Sequence, residues 1–149
     1  MKNYLLILSC SKTKHHKYNI PAIDLYNGMY YKVLRKNFNL KENNNNNLNI
    51  LILSAKYGLI NSNHIIDYYD EVMTPKRAKE LQNQVITKLK QELKNNNYDE
   101  IFITMGKTYE LALGDRGKEI LKNNNAIIGH GMIGERLSQL KNWLISINK

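Results

Sequence analysis

Cysteine occurs once in the 149 residues, at Cys10, which excludes an internal disulfide framework and a zinc site built from several thiolates. No apolar run approaches the roughly 20 residues that a bilayer-spanning helix needs. The short apolar run at the N-terminus lacks the small-residue cleavage pattern of a secretory leader. A soluble, cytoplasmic chain with no membrane partner is therefore expected. No carboxylate-rich cluster accompanies the isolated His64 and His130. The adjacent His15 and His16 would face opposite sides of a strand, so neither a metal nor another cofactor is expected. Arginine is scarce while Lys, Asn and Ile abound, the bias expected of AT-rich codon usage.

Positive charge is what the chain has in excess. Lys and Arg total 22 against 13 Asp and Glu, a net charge of +9, with a pI near 9.5. A basic surface attracts phosphate, so a nucleotide or nucleic acid is the expected partner. The lysines are scattered rather than gathered into one arm, and charge alone does not decide the matter. The length suits a single domain, 1–149, with a sizeable core. No repeat or linker suggests a second domain, and no oligomeric state is read from the pattern.

Short apolar runs alternate with amphipathic segments, the signature of α/β layering. Strands are predicted at Tyr4–Ser9, Leu48–Ser54, Glu100–Met105 and Ala126–Gly129. A helix is predicted over Ala22–Phe38. A second starts at Thr74, a natural N-cap followed by Pro75, and carries Ala78, Leu81, Val85, Ile86, Leu89 and Leu93 on one apolar face. A third begins near Lys107 and a last spans Ile133–Ile147. The tracts Asn43–Asn47, Asn95–Asn97 and Asn123–Asn125 read as loops, because Asn tolerates left-handed turns. The fold expected is a single three-layer α/β domain: a central, mainly parallel sheet of four or more strands with helices on both faces.

Four polar clusters sit where strands should end. The first is Ser9-Cys10-Ser11-Lys12-Thr13-Lys14. The second is Ser54-Ala55-Lys56-Tyr57-Gly58, where Gly58 permits a tight turn. The third is Thr104-Met105-Gly106-Lys107-Thr108-Tyr109, and the fourth runs from Gly129 to Arg136. In a parallel sheet all four gather at the carboxyl edge, where open α/β sheets bind ligands. Small residues also occur at such turns for conformational reasons alone.

Gly106-Lys107-Thr108 is not a Walker A loop, since the required upstream glycine is Ile101. Gly129-x-Gly131-x-x-Gly134 has dinucleotide-fingerprint spacing but too little chain follows it for the βαβ unit. Cys10 reads either as a nucleophile activated by nearby lysines or as a packing residue. Asp67-Tyr68-Tyr69-Asp70-Glu71 reads either as a solvated patch facing a helix dipole or as a source of a general base and a base-stacking ring.

The ordered motifs Leu8-Ser9-Cys10-Ser11-Lys12-Thr13-Lys14, Pro21-Ala22-x-Asp24-Leu25-Tyr26-x-Gly28, Leu53-Ser54-Ala55-Lys56-Tyr57-Gly58-Leu59, Tyr69-Asp70 and Gly106-Lys107-x-Tyr109 span most of the chain. With Gly131 to Leu137 they resemble an uncharacterised bacterial and phage family whose members are often described as YaaA-like peroxide stress proteins. A more distant similarity is to the core domain of archaeosine synthase, which acts on a deazaguanine base in tRNA. That resemblance implies that Cys10, Ser11, Lys12 and Lys14 match a base-handling loop and Tyr69-Asp70 a downstream pair. Here Thr13 interrupts the lysine pair, and Tyr68 precedes Tyr69-Asp70 where many relatives have proline.

The function expected is a nucleobase- or nucleotide-handling enzyme with a basic phosphate-binding cleft, performing base modification or glycosidic-bond or transferase chemistry. Lys12, Lys14, Lys56 and Lys107 would meet phosphate, and Tyr26, Tyr57 or Tyr69 the base. Asp70 would act as general base or anchor, with Cys10 or a neighbouring serine as nucleophile. Ser9, Ser11, Ser54, Gly58, Gly106, Tyr109, Gly134 and Arg136 would complete the binding surface. The alternative is a non-catalytic nucleotide- or nucleic-acid-binding protein for signal capture or stress.

Overall fold

The computed structural model describes residues 2–41 and 47–148. Three apolar runs form the centre of a five-stranded sheet: β1 (Asn3–Ser9), β3 (Asn47–Ser54) and β6 (Glu100–Thr104). They are joined by the short β7 (Ile127–Ile128) and by β4 (Gly58–Asn61) in the order β4-β3-β1-β6-β7. Strand β1 pairs in parallel with β3, from Asn3–Asn47 to Ser9–Leu53, and with β6, from Tyr4–Glu100 to Leu8–Thr104. Central parallel strands are covered on both faces, which is why Leu5, Leu6, Ile7 and Leu8 form an unbroken run and are all fully buried.

Helices α2 (Met29–Asn37) and α6 (Ile133–Ile147) pack together on one face. There Trp143 of α6 stacks on Phe102 at 5.3 Å and meets the edge of Tyr4 at 6.1 Å. Helices α3 (Pro75–Asn95) and α5 (Gly114–Asn123) pack together on the other. The sequence reading of α3 holds in detail: the Thr74 side chain accepts a hydrogen bond from Arg77 N, Pro75 opens the helix, and Ala78, Leu81, Val85 and Leu89 are buried. The mainly parallel, three-layer α/β architecture is thus the one expected.

Differences arise where tertiary contacts override local pattern. The helix expected over Ala22–Phe38 is two, α1 (Ala22–Leu25) and α2. Between them Tyr26 forms a bridge with Lys14, and Asn27 N donates to Thr13 O at 2.9 Å. Gly28 then lies so close to the first loop that a Cβ there would sit 2.4 Å from that of Ser11. The helix expected from Lys107 is also two, α4 (Lys107–Glu110) and α5, with Gly114 at φ +62°. Edge strand β4 and the paired two-residue strands β2 (Ile20–Pro21) and β5 (Ile65–Ile66) were not foreseen. Each is too short to carry a period. Asn95 and Asn123 close helices rather than opening loops, and most of the Asn43–Asn47 tract lies outside the described residues, with Asn47 opening β3.

Candidate site at the carboxyl edge of the sheet

The parallel strands all end on one edge, so the four polar clusters meet there. After β1 the chain turns to the α2 face, whereas after β6 it turns to the α5 face. Such a reversal marks the usual ligand position in this architecture, between the two strand ends. Cys10 from the first loop and Tyr109 from α4 are in contact at this point, with Sγ 3.2 Å from Oη.

Around Cys10 lies a set of buried phenols. The Tyr26 and Tyr69 hydroxyls are 2.7 Å apart, and Ser54 Oγ donates to Tyr69 Oη at 2.8 Å. Ser54 Oγ also accepts from the backbone N–H groups of Lys56 and Tyr57, which forms the turn after β3. Tyr31 donates to Ser9 O at 2.8 Å. Burial raises the pKa of Tyr26, Tyr31, Tyr69 and Tyr109, and in all four the proximity of Cys10 is the next cause. All four phenols therefore remain neutral at physiological pH. Tyr26, Tyr31 and Tyr69 are buried with their hydroxyls bonded inside the protein, while Tyr109 is half-buried beside Cys10.

A cationic rim surrounds this cluster of phenols. Lys14 Nζ lies 4.7 Å from the centre of the Tyr69 ring and Lys56 Nζ 5.3 Å from that of Tyr57. Tyr57 packs edge-on against Tyr69 at 5.6 Å, so Tyr69 is a wall rather than an open stacking platform. Lys12 and Lys107 are exposed, and neither they nor Lys14 and Lys56 form an ion pair among the described residues. Ser11 Oγ accepts from Gly28 N and donates to Thr13 O, fixing the first loop. Asp70 is exposed and touches none of the cluster through a hydrogen bond. Ser9 is buried with its carbonyl engaged by Tyr31. Gly58, at φ +77°, makes the turn into β4, and Gly106 caps α4. Gly134 is exposed with open space where a side chain would be.

Arg136 lies 7% exposed, with its guanidinium engaged internally. It donates to the carbonyls of Met105 (2.7 Å), Gly129 (3.3 Å) and Gly131 (2.8 Å) and pairs with Glu110 at 3.0 Å. Two residues that sequence reasoning passed over act likewise. Arg35 donates to the carbonyls of Ile23 and Tyr26, at 2.7 and 2.9 Å. Arg77 donates to those of Ala55 and Lys56, at 2.8 and 2.9 Å, and pairs with Glu71. Each arginine thus clamps one strand-end connection, a task that suits the fixed donor fork of a guanidinium and not an ammonium. Their scarcity in a lysine-rich chain was the available signal. Tyr31 was also missed, and its place in a helix gave no hint that its hydroxyl reaches β1.

Among the described residues no three His, Cys, Asp or Glu side chains gather as a metal-binding group, and no helix is long and apolar enough to cross a membrane. No curated protein and no solved structure is significantly similar to the chain. Residues 5–142 match the family of unknown function DUF6884, and the chain belongs to that family.

Proposed function

We propose that the protein is a cytoplasmic nucleobase- or nucleotide-handling enzyme whose substrate enters the crevice between β1 and β6. The observation that carries this reading is the pairing, at one sheet edge, of a neutral wall of buried phenols around Cys10 with a rim of lysines lacking carboxylate partners. Half-buried Tyr109 beside Cys10 offers a directional hydrogen bond to a base edge, and Lys12, Lys14, Lys56 and Lys107 offer charge to its phosphate. The similarity of the first loop and of Tyr69-Asp70 to the archaeosine synthase core, and the YaaA-like motif order, support a base as the substrate. Cys10 is the nucleophile in this reading, with base modification or glycosyl transfer as the reaction class.

A second reading, capture without turnover, is favoured by one feature. Asp70 has no bond to the phenol cluster, and among the described residues no carboxylate is hydrogen-bonded to Cys10 as a base. Incubation with nucleotides and free bases, followed by mass spectrometry, separates the two. Turnover that disappears in Cys10→Ala and falls in Asp70→Ala supports the enzyme. A bound nucleotide recovered unaltered supports the binder, and no nucleotide bound by the wild-type chain refutes both.

A further inference from the structure

The loop between β1 and β2 (residues 10–19) leads away from the crevice and carries His15, His16, Lys17 and Tyr18 after its site lysines. All four are exposed. The His16 ring lies flat on Tyr68, with centroids 3.8 Å apart and 17° between planes. Tyr18, 59% exposed, leans on His16, its Oη 3.4 Å from Nε2. These rings are displayed on a pinned backbone. Tyr68 N donates to Lys17 O at 2.9 Å, His15 N to Leu25 O at 2.8 Å, and Asn19 N to Asp67 Oδ1 at 2.7 Å. Lys12 and Lys17 flank the rings without an ion pair among the described residues. Of the acidic groups beside this loop, Asp67 is bonded to the backbone of Asn19, and Asp24 lies near His15 and Lys17. Tyr68 is next in sequence to Tyr69, over which Lys14 sits, so the strip begins one residue from the phenol cluster.

Unpaired lysines attract any polyanion, but a stack of flat rings, of which His16 and Tyr18 are exposed, favours one that also presents π faces. A single nucleic-acid strand presents unstacked bases beside its phosphates, whereas a duplex hides them. We propose that the strip formed by His16, Tyr18 and Tyr68, with Lys12 and Lys17, is a track for single-stranded nucleic acid. The nucleotide entering the crevice is then part of a strand rather than free. This inference rests on the reading of the crevice as a nucleotide site.

The test is fluorescence anisotropy on the full chain, with labelled mixed-sequence DNA and RNA strands of about twelve nucleotides, which fits the site sizes of single-strand binders. The same sequence as a duplex and a labelled mononucleotide serve as comparisons. The strand should bind at least about ten-fold tighter than the mononucleotide, more tightly than the duplex, and less well as salt rises. The double variant His16→Ala/Tyr18→Ala should lose about ten-fold or more in strand affinity. Its melting temperature and mononucleotide affinity should not change. Equal affinity for strand and mononucleotide, equal affinity for strand and duplex, or an unaltered double variant would each overturn the track. Strand binding that depends on both rings while the mononucleotide fails to bind would uphold the track and refute the crevice reading.

Discussion

The phenol cluster makes the protein's stability collapse in alkali, by an amount that follows from burial. Tyr26, Tyr31 and Tyr69 are 5% exposed or less, and burial followed by the proximity of Cys10 raises the pKa of each. In the unfolded chain a tyrosine titrates near its usual value of about 10. Below that value both states hold the proton and the cluster's contribution is fully present. As pH rises past it, the unfolded chain releases protons that the folded chain retains, so stability falls. At about pH 11 the loss is RT ln(1 + 10), about 1.4 kcal/mol for each phenol and about 4 kcal/mol for three. That is a large share of the roughly 5–15 kcal/mol available to a domain of this kind.

The measurement is urea denaturation in steps from neutral pH to about pH 11, alongside a spectrophotometric titration of phenolate. Stability should stay level from neutrality to about pH 9 as far as these groups are concerned, then fall by about 4 kcal/mol by about pH 11. The buried phenolates should appear together with loss of the far-ultraviolet dichroism. Tyr69→Phe removes one titrating group and should shrink the fall by about 1.4 kcal/mol, whatever it costs at neutrality. If every tyrosine ionised reversibly near pH 10 while the dichroism stayed native, the dry, neutral wall would be disproved.

Arg136→Lys keeps the charge but cannot reach three carbonyls and Glu110 together, and should cost about 3 kcal/mol in chemical denaturation. Arg116→Lys, at an exposed residue with no bond among the described residues, should fall within about 0.5 kcal/mol of wild type. Equal effects would show that the clamp is unimportant. Gly58→Ala should lower stability by about 2–3 kcal/mol. Its φ is +77°, and the new Cβ would lie 2.3 Å from Gln84 Oε1, whose amide holds both the N–H and the carbonyl of Leu59. An unaltered denaturation midpoint would remove that account.

What could be read in advance was whatever a local pattern encodes. Thr74-Pro75 marks the start of α3 because capping and fixed φ act within one turn. Continuous apolar runs mark β1, β3 and β6 because buried parallel strands have no polar face. From those, the meeting of four strand-end clusters at one edge follows by topology. The interior of the site did not follow. Tyr26, Tyr69 and Tyr109 stand far apart in sequence, and their hydroxyls meet Ser54 and Cys10 only once β1, β3 and α4 are in place. The break at Tyr26–Gly28 is of the same kind, imposed by the first loop on a segment with adequate helical pattern.

The arginines lie between these cases. A chain that uses lysine for most of its cations gains nothing from arginine on an open surface, where either ion is solvated equally well, and of its four arginines Arg116 is the one placed there without a side-chain bond among the described residues. It has a reason at Arg35, Arg77 and Arg136, each of which bonds at least two backbone carbonyls around one strand end. Leaving those carbonyls unpaired would cost more than any lysine could restore. The same clamps order the connections that carry Tyr26, Lys56 and Tyr109, so a preformed site requires no further ordering when a ligand arrives. In a strongly lysine-biased sequence, an arginine close to a strand-end motif marks the backbone of the site, and the lysines beside it mark what the site faces.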